Sequence, residues 1–353
     1  MSGARMRKTK NIYNTNKGMK AVAKKQESEQ PKKSTINTLP LYILLLIALV
    51  AYVLGQEIQI VALFSGALAV ILIVILLFLE LSTSFKETGY RKNIIEIVTT
   101  VLFVIILWYA MRIVLNTSNP IDVVPSCSML PALQRGDLVV LQGLGSNINS
   151  IKAPMVDVTS SAAVNLTKNL NKESLECVAY KTEGSRAYIS QFVGQGYNIG
   201  LYSAYSGYIV PNSSQAGNLI KYACGVQQVK YDNGTILNEA YTSSISVLNK
   251  TISGDANNSV AVYETVPQDS FYKEGDSFIV HRIYAVLNAS GNYYFLTKGD
   301  NNPGLDIQYS NAPPNFSQIS GKVVADIPYL GYFKLLLSGT PTPPAGCNST
   351  VLN

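Results

Sequence analysis

The sequence predicts a membrane-anchored all-β protein, in which N-terminal transmembrane helices precede a β-rich domain that carries a β-rich insert. Three long apolar runs lie before residue 116 of a 353-residue chain, of which 47% of residues are hydrophobic and only 14% are charged. The rest of the chain is polar and rich in Tyr, Gly, Asn, Ser and Pro, which is typical of short strands joined by turns. An apolar anchor followed by a folded polar domain explains this division, whereas an ordinary soluble protein does not.

The apolar runs are predicted to be three transmembrane helices, at about 39–55, 58–81 and 94–115. The first run is close to the lower limit of about 17 residues for a helix that crosses a bilayer, and the other two exceed that limit. Ten Lys or Arg and only two acidic residues lie within residues 1–33, so the basic tail 1–38 is expected in the cytoplasm. Three spans then place the chain beyond residue 115 outside the cytoplasm, or in the reticulum lumen of a eukaryote.

Potential glycosylation sites support the same orientation. Nine Asn-X-Ser/Thr sequons occur, at Asn116, Asn165, Asn212, Asn233, Asn249, Asn257, Asn288, Asn315 and Asn348. Such acceptors are used only outside the cytosol, and none precedes the last apolar run. The basic tail could instead bind nucleic acid or anionic lipid, or begin a cleaved signal peptide. A retained anchor with a solvated basic tail is the simpler interpretation, and no nucleic-acid partner is predicted.

All four cysteines lie in the predicted outer domain, where disulfides persist: Cys127, Cys177, Cys224 and Cys347. Cys177 with Cys224 is the preferred pair, because both lie in the middle segment, although four cysteines permit three connectivities. The chain has one histidine and no Cys-X-X-Cys pair. A structural zinc site is therefore not predicted.

The outer region divides into two strand-rich blocks separated by a long Gly- and Asn-rich segment. Residues 116–149 and 273–338 are predicted to form one β domain, with 150–272 as an inserted β-rich subdomain. The Pro- and Thr-rich residues 339–353 are predicted to be a flexible tail. The apolar stretch 327–337 is too short to span a bilayer and is expected to be a last strand that touches the membrane surface.

The stretch PSCSMLP at 125–131 contains three candidate nucleophiles. A serine hydroxyl needs an adjacent base, and that base needs an orienting group. The single imidazole, His281, lies in a predicted strand and is followed by Asp300 and Asp306. Cys127 would be intrinsically more nucleophilic as a thiolate. The middle position of a Ser-X-Ser turn should nevertheless point away from the flanking serines, which argues against Cys127.

Four blocks in this order, PSCSMLP, RGDLVV, VHRI and TKGDNNPGLD, resemble the type I signal peptidase family, in particular its archaeal and endoplasmic-reticulum branch. In that family the serine immediately before Met in Ser-X-Ser-Met-X-Pro is the nucleophile, which corresponds here to Ser128. This branch has histidine where the bacterial branch has a lysine base, and His281 stands at that position. The resemblance also implies that Asp306 orients the histidine and that Asp300 is a second important carboxylate.

The resemblance implies a membrane-bound serine endopeptidase that cuts signal peptides from exported preproteins after small residues. Its expected partners are signal-peptide-bearing preproteins, the lipid bilayer and the protein translocation machinery, and no metal or organic cofactor is expected. The oxyanion donors would be the Ser128 backbone N–H and the Ser126 hydroxyl.

Several alternatives stay open at the level of sequence. Ser126 could merely cap the turn, and Lys298 could act as a Ser-Lys base or support the site. Met129 and Leu130 could face lipid or line the substrate pocket. A non-catalytic glycosylated membrane surface protein, or an inactive peptidase-like partner subunit, is the alternative function.

Overall fold

The computed structural model describes residues 38–55, 58–88, 90–145, 147–168, 175–202, 209–210, 219–340, 342–344 and 346–352. The basic tail 1–37 and the sequon at Asn212 lie outside the described residues. The helices are α1 Leu39–Leu54, α2 Gln59–Thr88, α3 Tyr90–Val114, α4 Ser160–Lys168, α5 Ser270–Glu274 and α6 Tyr332–Leu337. The strands are β1 Ile121–Val123, β2 Leu138–Gln142, β3 Met155–Asp157, β4 Leu175–Glu183, β5 Arg186–Ser190, β6 Asn198–Tyr202, β7 Ile209–Val210, β8 Ile220–Tyr231, β9 Ile236–Val247, β10 Lys250–Ser253, β11 Val260–Glu264, β12 Phe278–Ala289, β13 Asn292–Lys298, β14 Ile319–Ile327 and β15 Ser349–Leu352.

The three predicted apolar runs form helices α1, α2 and α3. Within α2 and α3, the windows Leu63–Glu80 and Ile97–Val114 are long and apolar enough to cross a membrane. Most of their side chains are exposed in the structure, which suits contact with lipid rather than with a protein core. Helix α1 is apolar but has only 16 residues, so length alone does not qualify it as a third span.

Seven strands form the main sheet, in the order β1-β2-β14-β11-β12-β13, with β3 pairing in parallel with β12. The other pairings along this path are antiparallel. β12 lies between β11 and the edge strand β13, and all but three of its residues are buried. The sheet therefore provides a rigid base for any side chain carried on β12.

Two further four-stranded sheets have the orders β5-β4-β6-β7 and β10-β9-β8-β15, and all of their strands except β15 lie within the predicted insert. The predicted insert range of 150–272 is too wide, because β3 and β11 belong to the main sheet. Ala261 and Val262 of β11 are fully buried between β12 and β14. A local apolar pattern predicts a strand, but it does not indicate which sheet the strand will join.

The prediction of a flexible tail is wrong for the described residues beyond α6. Cys347 forms a disulfide with Cys127, and β15 pairs with β8 of the insert. The low-complexity composition is a local signal, whereas the disulfide and the strand pairing are contacts with distant residues. The second disulfide joins Cys177 of β4 to Cys224 of β8, the pair preferred from the sequence.

The stretch 327–337 forms a helix rather than a last strand. β14 ends at Ile327, and α6 begins five residues later at Tyr332. Helix α6 exposes Phe333, Leu336 and Leu337, which leaves an apolar face available to a bilayer. The Tyr52 hydroxyl of α1 donates a 2.5 Å hydrogen bond to the Pro328 carbonyl and so connects this region to the apolar helices.

Candidate active site

The PSCSMLP turn lies between β1 and β2 and is anchored by its methionine. Met129 is completely buried in a cluster that underlies the turn and contains Val124, Leu133, Val139, Leu141, Val262 and Val280. Met129 therefore neither faces lipid nor lines the substrate pocket. Its burial holds Ser126 and Ser128 at the surface of the cluster, where both are partly exposed.

Ser128, His281 and Asp306 form a continuous chain of hydrogen bonds. Ser128 Oγ lies 2.9 Å from His281 Nε2, and His281 Nδ1 lies 2.7 Å from Asp306 Oδ2. His281 projects from β12, and Asp306 begins a 3-10 helix that follows β13. Both are almost fully buried, at 3% and 2% exposure, so the contact between His281 and Asp306 is shielded from water. The phenyl ring of Phe271 meets the imidazole edge-on, which restricts its rotation.

Three donors converge on a single carboxylate oxygen of Asp306. Tyr263 Oη donates to Oδ2 at 2.9 Å and Thr297 Oγ1 donates to it at 2.6 Å, in addition to the His281 contact. Burial acts to raise the pKa of Asp306, but the charge of His281 and these hydrogen bonds outweigh it and lower the pKa below the ordinary value. Asp306 is therefore an ionised acceptor at neutral pH.

The charge state of Asp306 determines the tautomer of His281. Because the carboxylate can only accept, a neutral His281 carries its proton on Nδ1, which leaves Nε2 as the acceptor of the Ser128 hydroxyl proton. The Ser126 hydroxyl lies 3.1 Å from Ser128 Oγ. Since the Ser128 proton points to His281, Ser126 is the donor in this pair. The arrangement can therefore remove a proton from Ser128 Oγ while a second hydroxyl stabilises that oxygen.

The KGDNN segment holds the backbone of Ser128. The Asn301 N–H donates to the Ser128 carbonyl at 2.8 Å. A Cβ atom at Gly299 would lie 2.7 Å from the same carbonyl, so only glycine permits this approach. The segment therefore fixes the orientation of the peptide bond between Ser128 and Met129.

Asp300 and Lys298 do not join the hydrogen-bond chain. Asp300 forms a bidentate ion pair with Arg282, with N···O distances of 2.8 and 2.6 Å. Lys298 Nζ donates to the Gly299 carbonyl at 3.3 Å. Burial lowers the pKa of Lys298, although nearby carboxylates oppose the shift. Among the residues that the structure describes, Ser128 Oγ has side-chain hydrogen bonds to His281 and to Ser126, and none to Lys298.

Two curated proteins are similar to this chain, and both are named signal peptidase complex catalytic subunit SEC11. The protein from Colletotrichum graminicola is 42% identical over 66 residues, which are 18% of this chain and 38% of that protein. The protein from Verticillium alfalfae is 40% identical over 72 residues, which are 20% of this chain and 42% of that protein. The matched segment of this chain is similar to signal peptidase catalytic subunits, which supports a relationship to the type I signal peptidase family in its endoplasmic-reticulum branch.

This finding confirms the resemblance predicted from the sequence. The match spans about two fifths of the length of each curated relative. No family model matches the chain. No solved structure matches it either.

Cys127 carries no free thiol, because its sulfur is bonded to Cys347. A disulfide sulfur has no thiolate form, and a thiolate is what a cysteine nucleophile requires. This leaves Ser126 and Ser128 as the hydroxyl candidates of the turn, and Ser128 is the one that contacts the imidazole.

A cleft of about 520 Å³ opens over these residues. Ser126, Ser128 and His281 line it, together with residues 278–280 of β12. Further lining comes from Val124, Pro125, Arg135, Phe271, Asp276, Asn302, Gly339, Thr340, Thr342, Pro343 and Pro344. The cleft is large enough for a short extended peptide with small side chains.

Tyr263, Thr297 and Arg282 were not singled out from the sequence, and Cys347 was named only as one of four cysteines in the outer domain. Tyr263 and Thr297 lie within apolar strands, where their hydroxyls have no sequence signal that connects them to Asp306. Arg282 follows the histidine directly in VHRI, and this adjacency is the only hint of its role. Besides Asp300, it donates to the carbonyls of Ala256 and Asn258 at 2.6 and 2.7 Å.

Replacing Asp300 with alanine should destabilise the protein. The change leaves the Arg282 guanidinium, 13% exposed, without its carboxylate partner, and breaking such a pair typically costs about 3 kcal/mol. Thermal unfolding in detergent would measure the loss. Lys334→Ala is the matched control, because it removes a 58% exposed partner of Asp122, and exposed pairs contribute below about 1 kcal/mol. Equal losses for the two variants would show that the Asp300–Arg282 pair contributes no more to stability than an exposed ion pair.

Proposed function

We propose that this chain is a membrane-bound serine endopeptidase that removes signal peptides from exported preproteins. The observation that carries the proposal is the buried hydrogen-bond chain from Ser128 through His281 to Asp306, with distances of 2.9 and 2.7 Å. This arrangement supplies a nucleophile, a base and an orienting carboxylate in the order that acyl transfer requires. The similarity to the SEC11 subunits supports the choice of signal peptides as the substrate class.

The first half of the reaction forms an acyl-enzyme. Ser128 Oγ attacks the scissile carbonyl while its proton passes to His281 Nε2, and Asp306 stabilises the resulting imidazolium. The oxyanion would accept hydrogen bonds from the Ser126 hydroxyl and the Ser128 N–H. The C–N bond then breaks as His281 returns the proton to the leaving amine, which becomes the new N-terminus of the mature protein.

The second half releases the signal peptide. Water attacks the ester that joins Ser128 Oγ to the signal-peptide carbonyl, and His281 accepts the water's proton. When the C–O ester bond breaks, His281 returns this proton to Ser128 Oγ. The products are a signal peptide with a free carboxyl group and the regenerated hydroxyl. No cofactor is needed for these steps.

The main sheet offers an edge to an extended substrate. Residues Phe278–His281 pair with β11 on one side, whereas β13 pairs with β12 only from Arg282 onward. In the part of the chain that the structure describes, no strand pairs with the other side of 278–281, which reaches the cleft. An extended peptide can therefore bind there by strand addition and present its carbonyl to Ser128.

The apolar helices support a site close to the bilayer. We propose a multi-pass topology with residues 1–38 in the cytoplasm and the β domain outside it, as the distribution of basic residues indicates. The exposed apolar face of α6 would rest on the outer leaflet. A membrane-anchored preprotein delivered by the translocation machinery could then reach the cleft while its apolar segment stays in lipid.

Ser128→Ala tests the proposed function directly. The full chain in liposomes should cut a signal-bearing preprotein after a small residue, and Ser128→Ala should reduce the rate by about 10⁴-fold or more. Ser161→Ala, an exposed serine of α4, is the matched control and should cut normally. No product from the wild type, as expected of an inactive partner subunit or a surface protein, would overturn the proposal. Normal cutting by Ser128→Ala would overturn it equally.

A further inference from the structure

A Pro-rich segment passes beside the nucleophile turn and is held there at several points. We call it the Pro-rich strap and define it as residues 339–340, 342–344 and 346–352. Arg135 Nη2 donates to the Thr340 carbonyl at 2.5 Å and to the Thr342 carbonyl at 3.2 Å. Arg135 Nε donates in turn to the Pro125 carbonyl, directly before the Ser-Cys-Ser sequence. The guanidinium thus connects the strap to the turn that carries Ser128.

The far end of the strap is bonded to groups that hold Ser128. The Asn301 side chain donates to the Ser349 carbonyl and accepts from the Val351 N–H, both at 2.9 Å. Asn301 is also the residue whose N–H binds the Ser128 carbonyl. Between these two anchoring regions, Cys347 is disulfide-bonded to Cys127, the residue between Ser126 and Ser128. The strap is therefore covalently attached to the nucleophile turn itself.

The middle of the strap lines the cleft with steric bulk rather than with hydrogen-bonding groups. Pro343 and Pro344 are exposed, line the cleft and have no N–H to offer a substrate backbone. The carbonyls of Thr340 and Thr342 are already engaged by Arg135. The strap can therefore restrict which side chains fit the cleft, but these groups are not arranged to extend the sheet.

We propose that the Pro-rich strap is a specificity-determining wall of the substrate cleft, and that the Cys127–Cys347 disulfide keeps it in place. This inference rests on the proposed endopeptidase function and adds the element that limits the substrate side chains to small ones. Releasing the disulfide would remove the covalent anchor between the Arg135 and Asn301 contacts, so that the middle of the strap could move away from the cleft and admit larger side chains. Cys347 is partly exposed, so a small dithiol can reach the bond.

The width of the cleft can be measured with two preproteins that differ only in the residue before the cut, which is alanine in one and leucine in the other. The readout is the ratio of kcat/KM for the leucine substrate to that for the alanine substrate. In the Cys177→Ser/Cys224→Ser protein, dithiothreitol can reduce only the Cys127–Cys347 bond, and the ratio should rise roughly tenfold, as for a pocket that gains space for a larger apolar group. In the Cys127→Ser/Cys347→Ser protein the ratio should be raised before treatment and unchanged by dithiothreitol. Thiol labelling followed by mass spectrometry reports the state of each bond.

A second variant changes the wall without touching the disulfide. Pro343→Ala/Pro344→Ala trims two exposed side chains and should raise the same ratio without reduction. The wild type could cut both preproteins while neither the cysteine variants nor the proline variant changed the kcat/KM ratio. This result would overturn the strap proposal but not the proposed function. The Cys127→Ser/Cys347→Ser protein retains only the Cys177–Cys224 bond. If dithiothreitol changed the kcat/KM ratio in this protein alone, the strap proposal would also be overturned. A wild type that cuts neither preprotein overturns the proposed function, and the strap proposal with it.

Discussion

Replacing His281 with alanine is expected to reduce preprotein cleavage to background, whereas Lys298→Ala retains most of the activity. His281 Nε2 is 2.9 Å from Ser128 Oγ and is the acceptor for its proton, so its loss should lower kcat by about 10⁴- to 10⁶-fold. Lys298 Nζ binds a backbone carbonyl instead, and its removal eliminates no proton acceptor of Ser128. Initial rates in liposomes with a signal-bearing preprotein would measure both effects.

The control for this comparison concerns folding, because Lys298 is partly buried on β13. Lys298→Met preserves much of the volume of the side chain and should cut at a rate close to that of Lys298→Ala. Thermal unfolding of each variant separates a loss of chemistry from a loss of structure. If His281→Ala cut normally and folded Lys298→Met were inactive, lysine rather than histidine would be the base.

Asp306→Asn is expected to lower kcat by about 10⁴-fold while leaving KM nearly unchanged. The amide cannot stabilise the imidazolium, and its NH₂ group can turn toward His281 Nδ1 and favour the wrong tautomer. Asp306 does not line the cleft, so substrate binding should persist. Steady-state kinetics give the two parameters separately. Asp232→Asn, an exposed aspartate of the insert, is the matched control and should change neither.

Smaller substitutions around Asp306 should give graded effects. Thr297→Val and Tyr263→Phe each remove one donor to Oδ2, and a hydrogen bond to a charged group contributes about 1.5–3 kcal/mol. The loss of activity or stability in each of these variants should therefore be far smaller than the loss of kcat in Asp306→Asn.

For Asp306→Asn itself, a drop in kcat that merely matched the loss of folded protein would show that the carboxylate has only a structural role.

The lowered pKa of Asp306 also predicts the pH dependence of stability. Because the folded-state pKa lies below the ordinary value of 3.8, the carboxylate contributes stability that is fully present above 3.8. This contribution is lost as the pH falls through the folded-state pKa. Unfolding of Asp306→Asn should accordingly depend less on pH on the acid side than unfolding of the wild type does.

The parts of this protein that the sequence predicted are those whose signals lie within a few neighbouring residues. Apolar runs long enough for a bilayer predicted helices α1 to α3, because the length and composition of a run are local properties. The Ser-X-Ser-Met and KGDNN blocks pointed to the candidate site residues and to the family resemblance, because both are short contiguous motifs. The pairing of Cys177 with Cys224 was preferred because both lie in the middle segment, and these two cysteines are bonded in the structure.

Tertiary structure alone decided which of these local pieces meet. Ser128 and His281 are separated by 153 positions, and their contact depends on how β12 packs beside the turn held by Met129. The donors to Asp306 come from β11, β12 and β13, and no local pattern encodes that convergence. The disulfide between Cys127 and Cys347 spans 220 positions and turns an apparently flexible tail into a wall of the cleft. Sequence determined which groups the chain carries, whereas strand register, core packing and the disulfides determined their distances, because those arise only between segments far apart in the chain.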